Sequence, residues 1–311
     1  MLAPLQEKID SIVRGIDGLV GVCVRDIATG DEIGVRLDEP LPMASVCKIP
    51  ILVAAYREHE AGRLNLADRV TLTEETECFG SGLFNHFDAG LQPTIHDLLL
   101  MMMVVSDNLA TDLVLDRIGP ARVTETMREL GIDGIRVDRP IRDLIGDILT
   151  ALDPRLKGIR RCDWDTFKEQ HPDIAAKDKD LEEGRRAVNE AAADRDTATA
   201  RDIARLGAQV AENRCASEES CKAMLDILDQ QQLNGRLPRD LPAFTKFPHK
   251  TGTLGSGAVV NDAGILSLED HPVAAVAVLS RDVGNPIHET NSAIAAVGRA
   301  VYEFYASRQG G

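Results

Sequence analysis

Long apolar runs are missing from this chain of 311 residues. The longest, Leu98 to Val105, falls far short of the roughly 20 residues that a spanning helix needs, so no membrane partner is expected. The N-terminus, MLAPLQEKIDSIV, has no basic stretch leading into an apolar core, so the chain as it stands reads as cytoplasmic, without a secretory signal. Basic residues are in short supply: 35 Lys and Arg face 50 Asp and Glu, a formal net charge of −15. Such a surface repels phosphate backbones, which excludes a nucleic-acid partner, and a monomer is expected. The six cysteines, at 23, 47, 78, 162, 215 and 221, form no C-x-x-C pair, which argues against a zinc ribbon or a thioredoxin-like site. Cys215 and Cys221 are the closest pair in sequence, yet free thiols are the expectation for a large chain without a signal. Neither H-E-x-x-H, G-x-S-x-G, a P-loop nor a dinucleotide fingerprint occurs, and neither a metal nor a cofactor is expected.

What is present suffices for a large core, since 44% of the residues are hydrophobic. Pro4 to Arg14 has the spacing of an amphipathic helix, with Leu5, Ile9, Ile12 and Val13 on one face. Leu19 to Arg25 and Glu32 to Leu37 read as a hairpin around the turn Ala28-Thr29-Gly30-Asp31. A helix is predicted from Ser45 to about Glu60, and the pattern stays mainly helical to about residue 230. Gly257 to Leu268 and Val273 to Ser280 read as strands, and Ile287 to Ser307 as a closing helix. This order implies an α+β fold: an antiparallel sheet drawn from both chain ends, flanked by helices, with an all-helical lobe inserted. The expected lobes are 1–40 plus 232–311 for the sheet and 41–231 for the helices. The latter includes a charged insertion at about 140–194 that reads as a solvated helical segment or flap around the lone Trp164.

Three short motifs carry chemistry: Ser45-Val46-Cys47-Lys48, Ser106-Asp107-Asn108 and Lys250-Thr251-Gly252. On a helix, residues three apart share a face, so Lys48 can reach the Ser45 hydroxyl. At a helix start, dipole and free N–H groups favour developing negative charge on Ser45. A desolvated lysine near other cations has a lowered pKa and can take a proton. Ser106, at the tip of an apolar helix, could relay a proton to a leaving nitrogen, and Asn108 could hold Lys48 or a substrate amide. Lys250 and Thr251 suit a substrate carboxylate. Gly252 lets a backbone approach closely, and the amides of Ser45 and Thr253 would form an oxyanion hole.

Taken in order, the three motifs resemble those of the penicillin-recognising serine enzymes, in particular the class A β-lactamase-like group. Pro42-Met43-Ala44 before the serine and Arg195-Asp196-Thr197-Ala198-Thr199 strengthen the resemblance, which runs from about residue 16 to 305 apart from the insertion. It implies the two-lobed fold, a small-molecule β-lactam or related amide as substrate, and an acyl-enzyme on Ser45. Enzymes of this fold acting on D-amino-acid peptides or esters, and β-lactam-binding sensors that release slowly, are the alternatives.

The resemblance also implies a glutamate, in a motif E-x-x-L-N, that activates the deacylating water. No such motif occurs. Counting on from Arg139 puts Ile141 in its place, with Asp143 the nearest carboxylate; counting back from Arg195 reaches Glu183, or Arg185 if Val188-Asn189 ends the loop. Asp143 and Glu183 are therefore the two candidate bases, and Arg139 and Asp196 are expected to pair across the neck of the insertion. Arg281, after a predicted strand, is a further candidate for a substrate carboxylate, although an exposed strand-end arginine is the commoner case. Gly80-Ser81-Gly82 reads as a turn at the cleft edge. Cys47, two positions beyond Ser45, falls on another helix face and is expected in the core.

Overall fold

The computed structural model describes residues 2–192 and 194–309. Its strands are β1 (Leu19–Asp26), β2 (Glu32–Val35), β3 (Leu41–Pro42), β4 (Thr197–Ala198), β5 (His249–Leu254), β6 (Val259–Leu268) and β7 (His271–Arg281). Five of them build one sheet in the order β2-β1-β7-β6-β5, every neighbour antiparallel. The two ends of the chain thus meet at the β1–β7 ladder, where Leu19 pairs with Arg281 and Asp26 with Ala274.

Alternation along the central strands explains the layers. Val20, Val22 and Val24 of β1 and Ala274, Val276 and Val278 of β7 face one core. That core is closed by the terminal helices α1 (Ala3–Val13) and α12 (Ile287–Gln309). Cys23 of β1 and Ala275, Ala277 and Leu279 of β7 point the other way into the larger core.

The helices between the sheet segments are α2 (Lys48–Glu60), α3 (Ile95–Val104), α4 (Asn108–Ile118), α5 (Pro120–Glu129), α6 (Ile141–Leu152), α7 (Trp164–Gln170), α8 (Pro172–Lys177), α9 (Leu181–Ala192), α10 (Ala200–Ala211) and α11 (Glu218–Asp229). In α3, Ile95, Leu98, Leu99, Met102 and Met103 are buried at helical spacing, and Thr94 and Asp97 form a reciprocal capping box at its start. Helix α10 lies on the sheet: Ala204 and Ala208 join the core that holds Ala275 and Ala277. Small residues on both sides let helix and sheet approach closely.

Two local expectations change. The segment Ala44–Cys47 is a 3₁₀ turn, and the α-helix begins only at Lys48. The charged insertion has an interior of its own, where Leu149, Leu152, Leu156, Ile174 and Ala187 are buried and Phe79, Trp164 and Phe167 pack against them. Trp164 meets Phe79 edge-on, ring centroids 5.6 Å apart. Its Lys, Arg, Asp and Glu residues take the outer faces of α6 to α9 and mask this apolar side in the composition. The neck is closed as expected: Arg139 Nε donates to Asp196 Oδ2 at 2.7 Å, and Asp138 and Asp196 exchange backbone-to-carboxylate hydrogen bonds of 2.9 Å each.

Candidate active site

Ser45 is delivered by a tightly held lead-in. Leu41 and Pro42 pair with Ala198 and Thr197 in the β3–β4 ladder, and the buried Asn261 of β6 donates to the carbonyls of Pro42 (2.8 Å) and Met43 (3.0 Å). Ala44 then takes a left-handed φ of 48°, a conformation that costs a non-glycine residue energy and turns the next residue outward. Ser45 is half-buried and lines a cavity of about 410 Å³, within the range of small-molecule sites. Strand β5 runs directly against this turn. A Cβ at Gly252 would lie 2.9 Å from the Met43 carbonyl and 3.0 Å from the Ser45 amide nitrogen, so only glycine permits the contact.

Lys48 is fully buried. Its ammonium donates to Ser106 O (2.8 Å), Ser106 Oγ (3.0 Å) and Asn108 Oδ1 (2.7 Å). Among the described residues, its hydrogen bonds run to Ser106 and Asn108 and not to the Ser45 hydroxyl expected from the spacing. The reason is local: three acceptors from the α3–α4 connection surround the Nζ. Burial lowers the Lys48 pKa to about 8. Ser106 also has a left-handed φ, 58°, and Asp107 caps α4 by accepting from Ala110 N at 2.9 Å. The second oxygen of Asp107 accepts from the amides of Leu83 (2.6 Å) and Phe84 (2.9 Å). Ser81 Oγ donates to Ser106 O at 2.7 Å, and Asn108 Nδ2 to Phe79 O at 2.8 Å. The Gly80-Ser81-Gly82 turn is thus docked on the Ser106 motif, and Ser81 lines the cavity.

Lys250 is also fully buried, donating to Thr251 O at 2.8 Å. Burial, and next the charge of Lys48, hold its pKa well below the usual lysine value. Thr251 and Thr253 line the cavity. Cys47 is buried, and burial pushes its thiol up to about 12, which excludes it as a thiolate nucleophile.

The sequence profile of the beta-lactamase enzyme family matches residues 4–305. The chain belongs to the beta-lactamase enzyme family. Beta-lactamase VEB-1 of Pseudomonas aeruginosa is 21% identical over 308 residues, 97% of this chain and 90% of that protein. The beta-lactamase regulatory protein BlaB of Streptomyces cacaoi is 32% identical over 143 residues, 45% of each; the match spans less than half of that relative. The crystal structure of beta-lactamase from Sphaerobacter thermophilus superposes with a TM-score of 0.76 at 26% identity, covering 97% of both chains.

Beside Ser45, this beta-lactamase-family chain has a distinctive wall. Ile141, Leu144, Ile145, Ile148, Leu149 and Leu152, one stripe of α6, line the cavity, joined by Ala187 of α9 and by Leu254. Ile141, which the count from Arg139 puts at the glutamate position, is part of this wall. Neither candidate base reaches the cavity. Asp143 is exposed on another face of α6 and lines a separate cavity with Glu77, Arg142 and Asp147. Glu183 is paired with Arg186, whose Nη2 lies 2.9 Å from Oε2. They stay away because α6 and α9 turn their apolar sides inward and their charges outward. Among the described residues, the one carboxylate lining the cavity is Asp178, which sequence reasoning missed. Burial raises its pKa, and its backbone carbonyl accepts from Ser256 Oγ at 2.9 Å.

Arg281 is not among the lining residues either; its neighbour Asp282 accepts from Arg185 Nε (3.0 Å) and Asn189 Nδ2 (3.1 Å) of α9. The arginine that packs against the site strand is Arg236, which no motif announced. Buried beneath β5, it donates to Gly252 O (2.7 Å), Asn261 O (2.6 Å) and Thr253 Oγ1 (2.6 Å).

Proposed function

We propose that this chain is a serine hydrolase that opens β-lactam amides through an acyl-enzyme on Ser45. The observation that carries the reading is the buried Lys48, its pKa lowered to about 8, one turn from the only part of its motif that opens on the cavity. In this mechanism neutral Lys48 takes the Ser45 proton as Oγ attacks the lactam carbonyl. The amides of Ser45 and Thr253 stabilise the oxyanion. Ser106, hydrogen-bonded to Lys48, hands the proton to the leaving nitrogen. The substrate carboxylate lies at Thr251 and Thr253, over the buried Arg236 guanidinium that holds Thr253.

Incubation with a penicillin should add the mass of the intact drug to the protein, and Ser45→Ala should abolish the adduct. Absence of both adduct and turnover of a chromogenic β-lactam overturns the reading. The apolar α6 wall favours a second one, in which release is slow and the protein acts as a β-lactam sensor. The name of the Streptomyces cacaoi relative, a regulatory protein, is in keeping with it. A one-to-one adduct that persists for hours without turnover selects this second reading.

A further inference from the structure

We infer that the α6 wall is an acyl-binding pocket, and that the preferred substrates are esters or amides whose acyl part is an apolar, medium-length chain. The inference rests on Ser45 as the acylated residue and deepens that reading by naming a substrate class.

The cavity lining is mixed in polarity. Ser45, Ser81, Ser106, Asn108 and Thr251 belong to it, as do Asp178 and Lys177, whose Nζ donates to Asp153 Oδ2 at 3.1 Å just beyond Leu152. The α6 stripe runs from Ile141 to Leu152, a rise of about 16 Å at helical spacing, and offers only aliphatic side chains. Ile145 and Ile148 are only half-buried, so apolar surface is left open toward the cavity. Apolar surface of that kind gains free energy from an apolar occupant, and the acyl chain is the part of a substrate that stays beside Ser45 once the leaving group departs.

The wall is also held in place rather than loosely draped. A Cβ at Gly184 of α9 would fall 2.5 Å from the Gly255 carbonyl, so helix and β5–β6 turn are in backbone contact. Asp112 of α4 accepts from Ile141 N (2.6 Å) and Arg142 N (2.9 Å), fixing the start of α6.

The reaction balances without a co-reactant beyond water. Ser45 Oγ bonds to the acyl carbon, and the alcohol or amine leaves with the proton taken from the hydroxyl. Water then cleaves the ester, releasing the carboxylic acid and restoring the serine.

The test compares p-nitrophenyl butanoate with p-nitrophenyl octanoate on the whole chain, reading kcat/KM and the adduct on Ser45 by intact mass. Full burial would bring roughly three- to fourfold per methylene, and a partly open cavity less, so a preference of about tenfold or more for octanoate is expected. In Ile145→Asn and Ile148→Asn the octanoate-to-butanoate ratio should fall toward one. The wild-type series needs no variant to fold. Acylation of Ser45 with no gain from the longer chain overturns the pocket and leaves the serine reading standing. Absence of both a Ser45 adduct and turnover, with either ester and with a penicillin, overturns the serine reading itself.

Discussion

At the scale of single residues, the proposed acylation of Ser45 turns on Lys48. An ammonium cannot accept a proton, and burial lowers its pKa to about 8 by penalising the charged form. The neutral base therefore increases as pH rises toward and past 8. The second-order rate of Ser45 acylation should climb about tenfold per unit below pH 8 and level off above it, as stopped-flow or timed mass measurements across pH 6 to 9 will show. The same shift has a stability consequence of defined sign. Between about 8 and the ordinary lysine value of about 10.4 the unfolded chain binds more protons than the folded one, so this contribution improves with pH in that window. Lys48→Ala should reduce acylation by roughly 10²- to 10⁴-fold while Ser45 remains in place.

At the scale of elements, α6 decides the character of the cavity. Its own N-cap is Pro140, which supplies no side-chain hydrogen bond. The free amides at its start are satisfied from another helix, by the Asp112 carboxylate at Ile141 and Arg142. Asp112→Ala leaves those amides without their acceptor and should cost about 1–3 kcal/mol in denaturant unfolding, with a drop in octanoate preference. The α9 contact makes an independent check. Gly184→Ala forces the helix away from the Gly255 carbonyl and should destabilise by about 1–3 kcal/mol, seen as a lowered unfolding midpoint.

At the scale of the whole molecule, the site is a seam. Ser45, Lys48, Ser106 and Asn108 come from the helical segments, and Lys250 to Thr253 from β5 of the sheet. One continuous core joins the two sides, from Cys23 and Leu279 of the sheet to Leu98 and Met102 of α3. The insertion is tied at its neck, where Arg139 also donates to Ala191 O at 2.9 Å and pairs with Asp147, and is docked on the β5–β6 turn through α9. Asp196→Ala would leave the buried Arg139 guanidinium short of its partner, at a cost of about 3–5 kcal/mol. Limited proteolysis should then cut first within 140–194, before the sheet or α3 is lost; unchanged protection there would count against the neck as the anchor.

The amino-acid sequence by itself determined the α+β class, the sheet from both chain ends and the three short motifs that the fold brings to one cavity. Those features rest on short-range spacing: alternation in β1 and β7, a helical stripe in α3, and three-residue motifs whose members stay together wherever the chain goes. Tertiary structure alone decided the rest. Lys48 meets Ser106 and Asn108 rather than Ser45 because the α3–α4 connection, distant in sequence, closes around its ammonium. Counting from either side of the insertion offered Asp143 and Glu183, but counting cannot tell which face of a helix turns inward. Apolar burial turned α6 so that Ile141 and its stripe face Ser45 and Asp143 faces away. Arg236 and Asp178 had no local pattern to mark them, since each takes its place by packing against β5 or the turn that follows it. The sequence names a candidate nucleophile and a candidate base; packing decides that the cavity beside them is walled by isoleucine and leucine.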